Sequence, residues 1–133
     1  MAERKEAGKR EILVFGSRLD REDNLALRVA ERLKGEKKFS FREAESLLDE
    51  IKDNDEIMVM DVVNGIKKVE LILPSDLEKN PAVSAHDFDL ASEILLLKKL
   101  HPEKSIKIIG IPYGYVFGKA AEEVWKILEG MNA

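Results

Sequence analysis

The sequence predicts a single α/β domain over residues 1–133, a three-layer sandwich whose mostly parallel five-stranded sheet has one antiparallel edge strand and helices on both faces. Short apolar runs alternate with segments in which apolar residues recur at helical spacing, which is typical of strand–helix–strand units. The dipeptide Asn64-Gly65 between two apolar runs is the strongest short signal for an antiparallel hairpin. A chain of 133 residues buries about two-thirds of its unfolded surface, which is enough for a core.

Five apolar runs are predicted to be strands: residues 11–15, 39–41, 57–63, 66–73 and 105–111. Continuous apolar runs are typical of strands that are buried on both faces. Right-handed connections place the first strand between the second and third, with the first two helices on opposite faces. The fourth strand is expected to run antiparallel to the third through the Asn64-Gly65 hairpin, and its charged residues Lys67, Lys68 and Glu70 suit an edge position.

Four helices are predicted from apolar residues at helical spacing. Their apolar positions are Leu25, Val29 and Leu33; Ala44, Leu47, Leu48 and Ile51; Leu90, Ile94 and Leu97; and Ala120, Ala121, Val124, Ile127 and Leu128. The first helix is expected to start near Arg21 and to end at Gly35, and the third to be capped by Asp87 or Asp89 and to end at Pro102. Residues 1–10 are expected to be a flexible lead-in, and residues 74–85 a long loop, a kind of segment that is often functional.

Composition excludes several functional classes. The 22 basic residues are scattered and the net charge is -4, which argues against a nucleic-acid partner. The absence of cysteine excludes disulfides, thiolate metal sites and a cysteine nucleophile. No apolar stretch approaches the roughly 18 residues of a membrane span, and the N-terminus lacks the apolar core of a signal peptide, so a cytoplasmic protein with no membrane contact is predicted.

Asp61 is the single carboxylate within the third apolar run. An unpaired buried carboxylate costs several kcal/mol, so Asp61 is expected either to emerge at the end of the sheet or to bind a cation. The acids Asp20, Glu22 and Asp23 follow the first strand, and His86 lies on the segment that enters a helix. Because the carboxyl ends of parallel strands open onto the ligand crevice of an α/β sheet, these groups could meet there.

Two carboxylates and one imidazole suit divalent nickel, zinc, manganese or iron and leave coordination positions open. Simpler explanations exist for each residue. The acids at residues 20–23 suit the positive end of a helix, Asp61 could hydrogen-bond a turn, and His86 could cap a helix or lie at the surface. Spacing alone does not separate these alternatives from a metal site.

Four segments in order along the chain resemble the hydrogenase maturation endopeptidases: residues 16–31, 60–65, 84–90 and 108–112. The resemblance implies that Asp23, Asp61 and His86 bind metal and are catalytic. It also implies that the protein is a metal-dependent endopeptidase, which removes the C-terminal extension of a nickel-iron hydrogenase large-subunit precursor. Nickel is then carried by that precursor and recognised after its insertion, although another divalent metal is possible. Ser17, Asn24 and Ala26 depart from the family pattern, which affects loop geometry and substrate choice.

Two alternatives remain open. One is a non-catalytic relative that binds nickel or a hydrogenase subunit. The other is a receiver-like signalling module with Asp61 as phosphoacceptor, which requires a helix between the third and fourth strands and a lysine at the end of the last strand. Tyr113, Tyr115, Phe117 and Trp125 mark either core or a docking surface, with core preferred, and a monomer is the simplest oligomeric state.

Overall fold

The computed structural model of the chain describes residues 9–16, 24–50, 55–79, 84–85 and 88–131. Its elements in chain order are β1 (Arg10–Val14), α1 (Leu25–Leu33), β2 (Phe39–Glu43), α2 (Leu47–Glu50), β3 (Glu56–Asn64), β4 (Glu70–Ile72), α3 (Pro74–Lys79), β5 (Ser84–Ala85), α4 (Phe88–Leu100), β6 (Ser105–Pro112) and α5 (Phe117–Met131). The lead-in predicted for residues 1–10 lies outside the described residues up to residue 8, and Arg10 already belongs to β1.

The main sheet has the strand order β2-β1-β3-β6-β4. The pairs β1/β2, β1/β3 and β3/β6 are parallel, and β4 at the edge is antiparallel to β6. The two-residue strand β5 adds an antiparallel pair with the end of β3. The predicted fold class is therefore confirmed, including the central place of the first strand among the first three.

The partner of β4 differs from the prediction. β4 runs antiparallel to β3 as expected, but β6 lies between them, so the hairpin predicted at Asn64-Gly65 was wrong. Gly65 does adopt a positive φ of 90°, as a turn requires. The parallel register of β3 with β6 extends from Glu56↔Ser105 to Val63↔Pro112, and this long pairing of apolar strands outweighs a local turn preference.

The long loop predicted for residues 74–85 was also wrong, because this segment contains α3 and β5. Pro74 is the first residue of α3, where its missing N–H costs nothing. The Asp76 carboxylate accepts a hydrogen bond from the Leu73 amide at 2.9 Å, and the Asp76 amide donates to the Leu73 carbonyl at 2.9 Å. A helix this short has too few residues to show an apolar period in the sequence.

Two cores form on opposite faces of the sheet. The α1/α5 core contains Met58, Met60 and Val62 of β3, and the α2/α4 core contains Ile57, Val59 and Val63. This alternation is the two-residue period of a strand with both faces buried. It places α1 and α2 on opposite faces, as right-handed connections predict.

The helix ends bear out part of the sequence analysis. Gly35 follows α1 with a φ of 101°, so its predicted role at the end of the first helix is confirmed. The predicted start of that helix at Arg21 and the predicted cap Asp87 lie outside the described residues. Within the part of the chain that the structure describes, no helix is long and apolar enough to cross a membrane.

Candidate functional site

The candidate site lies at the carboxyl edge of the sheet, the edge at which β1, β3 and β6 end. The Phe15 amide donates to the Met60 carbonyl at 3.0 Å, and within the described residues this is the last backbone hydrogen bond of the β1 segment along β3. On the same side of β3, β5 begins its pairing at Val63↔Ala85. Asp61 therefore lies in the short gap between two strands that approach β3 in succession.

Asp61 is completely buried, with 0% of its surface exposed. It does not emerge at the end of the sheet, so the first of the two expected outcomes was wrong. The two-residue alternation of β3 places its side chain on the same face as Val59 and Val63, which belong to the α2/α4 core. A carboxylate in such surroundings needs hydrogen-bond donors or a cation to stay ionised, and buried ionisable groups of this kind are frequent at functional sites.

The neighbour of Asp61 on β6 is Gly110, in direct register. A Cβ atom at Gly110 would lie 2.7 Å from Ile72 Cδ1 and 3.0 Å from Val63 Cγ2. Those apolar side chains occupy the space that a larger residue would need. β6 therefore offers no side chain beside the carboxylate, and the packing there is close and apolar.

The other predicted ligands, Asp23 and His86, lie outside the described residues, as do Asp20 and Glu22. Asp23 immediately precedes Asn24, the N-cap position of α1, and His86 immediately follows Ala85 of β5. Since two of the three ligands are not among the described residues, the described residues contain no group of three side chains that could hold a metal ion. The grouping of Asp23, Asp61 and His86 remains a prediction.

Asn24 has a buried side-chain oxygen, Oδ1, with no hydrogen-bond partner in the described part of the chain. Its side chain does not cap α1, although its backbone carbonyl accepts a hydrogen bond from the Arg28 amide at 3.0 Å. The sequence marked Asn24 only as a departure from a family pattern. In the structure Asn24 directly follows Asp23, its carbonyl is hydrogen-bonded to α1, and its side-chain oxygen is buried.

The connection from β6 to α5 forms one wall of this edge. The Tyr113 amide donates to the Val63 carbonyl at 3.1 Å, which ties the connection to the end of β3. Farther along, the Tyr115 hydroxyl lies 2.9 Å and 3.0 Å from the two carboxylate oxygens of Glu123. The Val69 amide donates to Glu123 Oε1 at 3.1 Å. Glu123 thus joins the β3–β4 connection to the β6–α5 connection.

The pKa values in this cluster follow from its contacts. Burial raises the pKa of Glu123, but the hydrogen bonds from the Val69 amide and the Tyr115 hydroxyl, with the nearby lysine charges, lower it by more in sum. Burial and the Glu123 carboxylate raise the pKa of Tyr115. At neutral pH Glu123 is therefore ionised and Tyr115 protonated, the states that their hydrogen bonds require.

The predicted preference of the aromatic residues for core holds in part. Tyr115 and Phe117 pack against the α1/α5 core, and Trp125 is half-buried. Tyr113 is 44% exposed. The sequence did not reveal the Tyr115–Glu123 contact, because the two residues are eight positions apart across a loop and a helix start.

Comparison with known proteins identifies a shared fold only. No family model matches the chain, and no curated protein matches it. A crystal structure of an uncharacterized protein from Wolinella succinogenes is similar, with 20% sequence identity and a TM-score of 0.54. The likeness covers 94% of this chain and 99% of that protein, so the two share the sandwich along nearly their whole length. At this identity the likeness concerns the fold and not the chemistry.

Proposed function

We propose that this protein is a metal-dependent endopeptidase of the cytoplasm that removes the C-terminal extension of a nickel-iron hydrogenase large-subunit precursor after nickel insertion. The observation that carries the proposal is the complete burial of Asp61 at the carboxyl edge of a parallel sheet. Placing a carboxylate among apolar residues of a buried strand lowers stability, and such a cost is typical of a functional site.

The described ends of the two neighbouring segments support the same assignment. Ala85 lies beside Val63, two positions beyond Asp61, and His86 follows it in the sequence. Asn24 begins α1, a helix that packs on β3, and Asp23 precedes it. Ala85 thus lies beside β3, and Asn24 begins a helix that packs on β3. Asp23, Asp61 and His86 together would supply two oxygen ligands and one nitrogen ligand.

In the proposed reaction, Asp23, Asp61 and His86 bind the nickel that the precursor carries. A divalent cation held there would polarise the carbonyl of the peptide bond to be cut, so that a water molecule could add to the carbonyl carbon and the C-terminal peptide could leave as its amine. Asp61 lies in an apolar setting, where electrostatic attraction to a cation is much stronger than in water. Because Asp61 lies below the surface, the precursor has to insert its C-terminal end into this edge of the sheet. Only the loaded precursor brings the cation that the three residues bind, so the site would select loaded over empty precursor.

A receiver-like module is disfavoured by the described residues. The connection at residues 65–69 leads from β3 to β4 without a helix. The end of β6 reads Gly110-Ile111-Pro112 and has no lysine. Both features that a phosphoacceptor role for Asp61 requires are therefore missing from this part of the chain.

The test is cleavage of a nickel-loaded large-subunit precursor encoded by the same genome, followed by mass spectrometry of the released C-terminal peptide. Loss of an outer-shell partner of a metal lowers metal affinity or activity roughly 10- to 100-fold. Asp61 and His86 are proposed to bind the metal directly, so Asp61→Asn and His86→Ala should each lower the cleavage rate by at least about 100-fold. Asp55→Asn is the matched control, because Asp55 lies just before the same strand with its side chain 87% exposed. This control should cleave like the wild type.

Two results would contradict the proposal. Wild-type cleavage by Asp61→Asn would exclude Asp61 from the site. Binding of nickel-loaded precursor without release of a peptide would identify the protein as a non-catalytic binder. Urea unfolding of each variant separates loss of activity from loss of folding.

A further inference from the structure

Two arginines of α1 lie against the ring of Phe117 at the start of α5. The Cζ atom of Arg28 is 4.8 Å from the ring centroid, and that of Arg32 is 5.8 Å away. Both arginines are exposed, whereas the ring packs against the α1/α5 core. Stacking on a ring orients a guanidinium and leaves its in-plane N–H groups available as donors. Arg28, Arg32 and Phe117 thus form a fixed cationic surface, the arginine surface.

The charge of this surface is not balanced within the described part of the chain. Neither arginine makes an ion pair there, and Glu31, which lies between them in sequence, is instead 3.9 Å from Lys34. Arg28 and Arg32 are four positions apart on one helix, where like charges repel. The first turn of α5 also carries no acid. A bound anion would relieve this repulsion, so the surface is suited to a negatively charged partner.

The arginine surface lies near the carboxyl edge of the sheet, on the α1/α5 face. Both α1 and α5 follow strands of the parallel set, so each helix begins at the carboxyl edge. Arg28 lies one turn from the start of α1, and its amide donates to the Asn24 carbonyl. The surface therefore lies on the α1/α5 side of that edge, whereas the Asp61 side chain lies on the α2/α4 side.

We propose that the arginine surface binds an acidic segment of a protein partner. A guanidinium matches a carboxylate through two parallel N–H···O bonds, and two guanidiniums one helical turn apart can bind two carboxylates of one extended segment. Nucleic acid fits less well, because a phosphate backbone is bound by a long basic stripe and the protein has a net charge of -4. If the partner is the hydrogenase precursor, this identification rests on the proposed function, whereas the acidic-segment surface does not.

The neighbouring cation Lys119 contributes less. Its ammonium lies 5.4 Å from the centroid of the Tyr115 ring, close to the Glu123 carboxylate that Tyr115 contacts. Part of its charge is therefore compensated inside the protein. Arg28 and Arg32 are the residues to change first.

The experiment measures fluorescence anisotropy of two labelled decapeptides added to the full chain, one alternating glutamate with glycine and one alternating glutamine with glycine. The glutamate peptide should bind at low salt and dissociate in high salt, because exposed charges are screened, and the glutamine peptide should not bind. Arg28→Gln with Arg32→Gln should weaken binding by at least about tenfold, since charge-assisted hydrogen bonds are lost.

Lys37→Gln with Lys38→Gln is the matched control. It removes two exposed cations just before β2, at the opposite edge of the sheet, and should leave binding unchanged. Equal binding of the glutamate peptide by the arginine double variant and the wild type would overturn the proposal. So would equal binding of both peptides by the wild type, or binding of a labelled single-stranded oligonucleotide in place of the glutamate peptide.

The two proposals fail separately. Asp61→Asn should bind the glutamate peptide like the wild type while it loses precursor cleavage. If the wild type binds the peptide and cuts no precursor, the arginine surface stands and the peptidase function is wrong. If it cuts the precursor and binds no acidic peptide, the reverse holds.

Discussion

Arg42 of β2 pairs with Glu11 of β1 and with Glu50 of α2, whereas the buried carboxylate of Asp61 on β3 lies beside a glycine of β6. Arg42 donates to Glu11 at 2.8 Å and 3.1 Å and to Glu50 at 2.6 Å. The hydrogen bond with Glu11 is the largest influence on the pKa of Arg42, which is raised above its ordinary value. In this half of the sheet, the chain supplies both signs of charge.

The other half shows a different arrangement. Asp61 is fully buried in register with Gly110, and apolar side chains fill the space that Gly110 leaves. Near the same edge, Arg28 and Arg32 contact an aromatic ring and make no ion pair with described residues. The comparison separates charges whose pairing within the chain contributes to stability, such as Arg42, from the charges that the two proposals assign to the binding of a partner. Removing each kind should therefore change a different measurement.

The largest effect on stability is expected for Arg42→Met. The substitution leaves the largely buried carboxylates of Glu11 and Glu50 without their guanidinium and should lower the free energy of unfolding by about 2–3 kcal/mol. Arg28→Gln should change it by less than about 0.5 kcal/mol, because that side chain is exposed. Urea unfolding measures both. A larger loss for Arg28→Gln than for Arg42→Met would break the comparison.

A somewhat smaller effect is expected for Gly110→Ala. The added methyl group has to displace Ile72 and Val63, and such overpacking costs about 1–3 kcal/mol. Gly118→Ala is the matched control, because a Cβ there meets nothing within 4 Å and the residue is helical; it should gain about 0.4–1 kcal/mol.

The cause of the Gly110 effect can be isolated with Ile72→Val, which removes the Cδ1 atom nearest the new methyl group. In a double-mutant cycle measured by urea unfolding, Ile72→Val should cost less in the Gly110→Ala background than in the wild type. Additive changes in the free energy of unfolding would mean that Ile72 and Val63 pack less closely around Gly110 than the structure shows.

The smallest effect is expected for Glu123→Gln, and it should depend on pH. The pKa of folded Glu123 lies below the ordinary value of 4.5, so its ionisation stabilises the protein above that pH, and this contribution is lost as the pH falls through the folded pKa. The wild type should therefore melt at a higher temperature than Glu123→Gln at neutral pH, and the difference should vanish once the pH has fallen below the folded pKa of Glu123.

Tyr115→Phe gives the companion measurement, because it removes one of the two donors to Glu123. It should reduce the pH-dependent part of the difference without abolishing it, since the Val69 amide remains. If the melting temperatures of the wild type and Glu123→Gln differ by the same amount at neutral and at acid pH, ionisation of Glu123 is not the cause of the difference.

Much of the fold could be predicted from the sequence because periodicity is a local property. The apolar residues of α1, α4 and α5 recur at helical spacing, and Gly35 adopts the positive φ expected after a helix. The hairpin at Asn64-Gly65 could not be decided locally. A turn preference involves a few residues, whereas the register of β3 with β6 involves every residue of β3 except Asn64.

The candidate site divides in the same way. The sequence by itself determined that a lone acid, Asp61, falls inside an apolar strand, because residue order and strand period are enough to show it. Only the tertiary structure decided that Asp61 is fully buried, that Gly110 is its neighbour, and that two arginines meet one ring. Burial and distance between segments depend on how separate elements pack, and no local pattern contains that information.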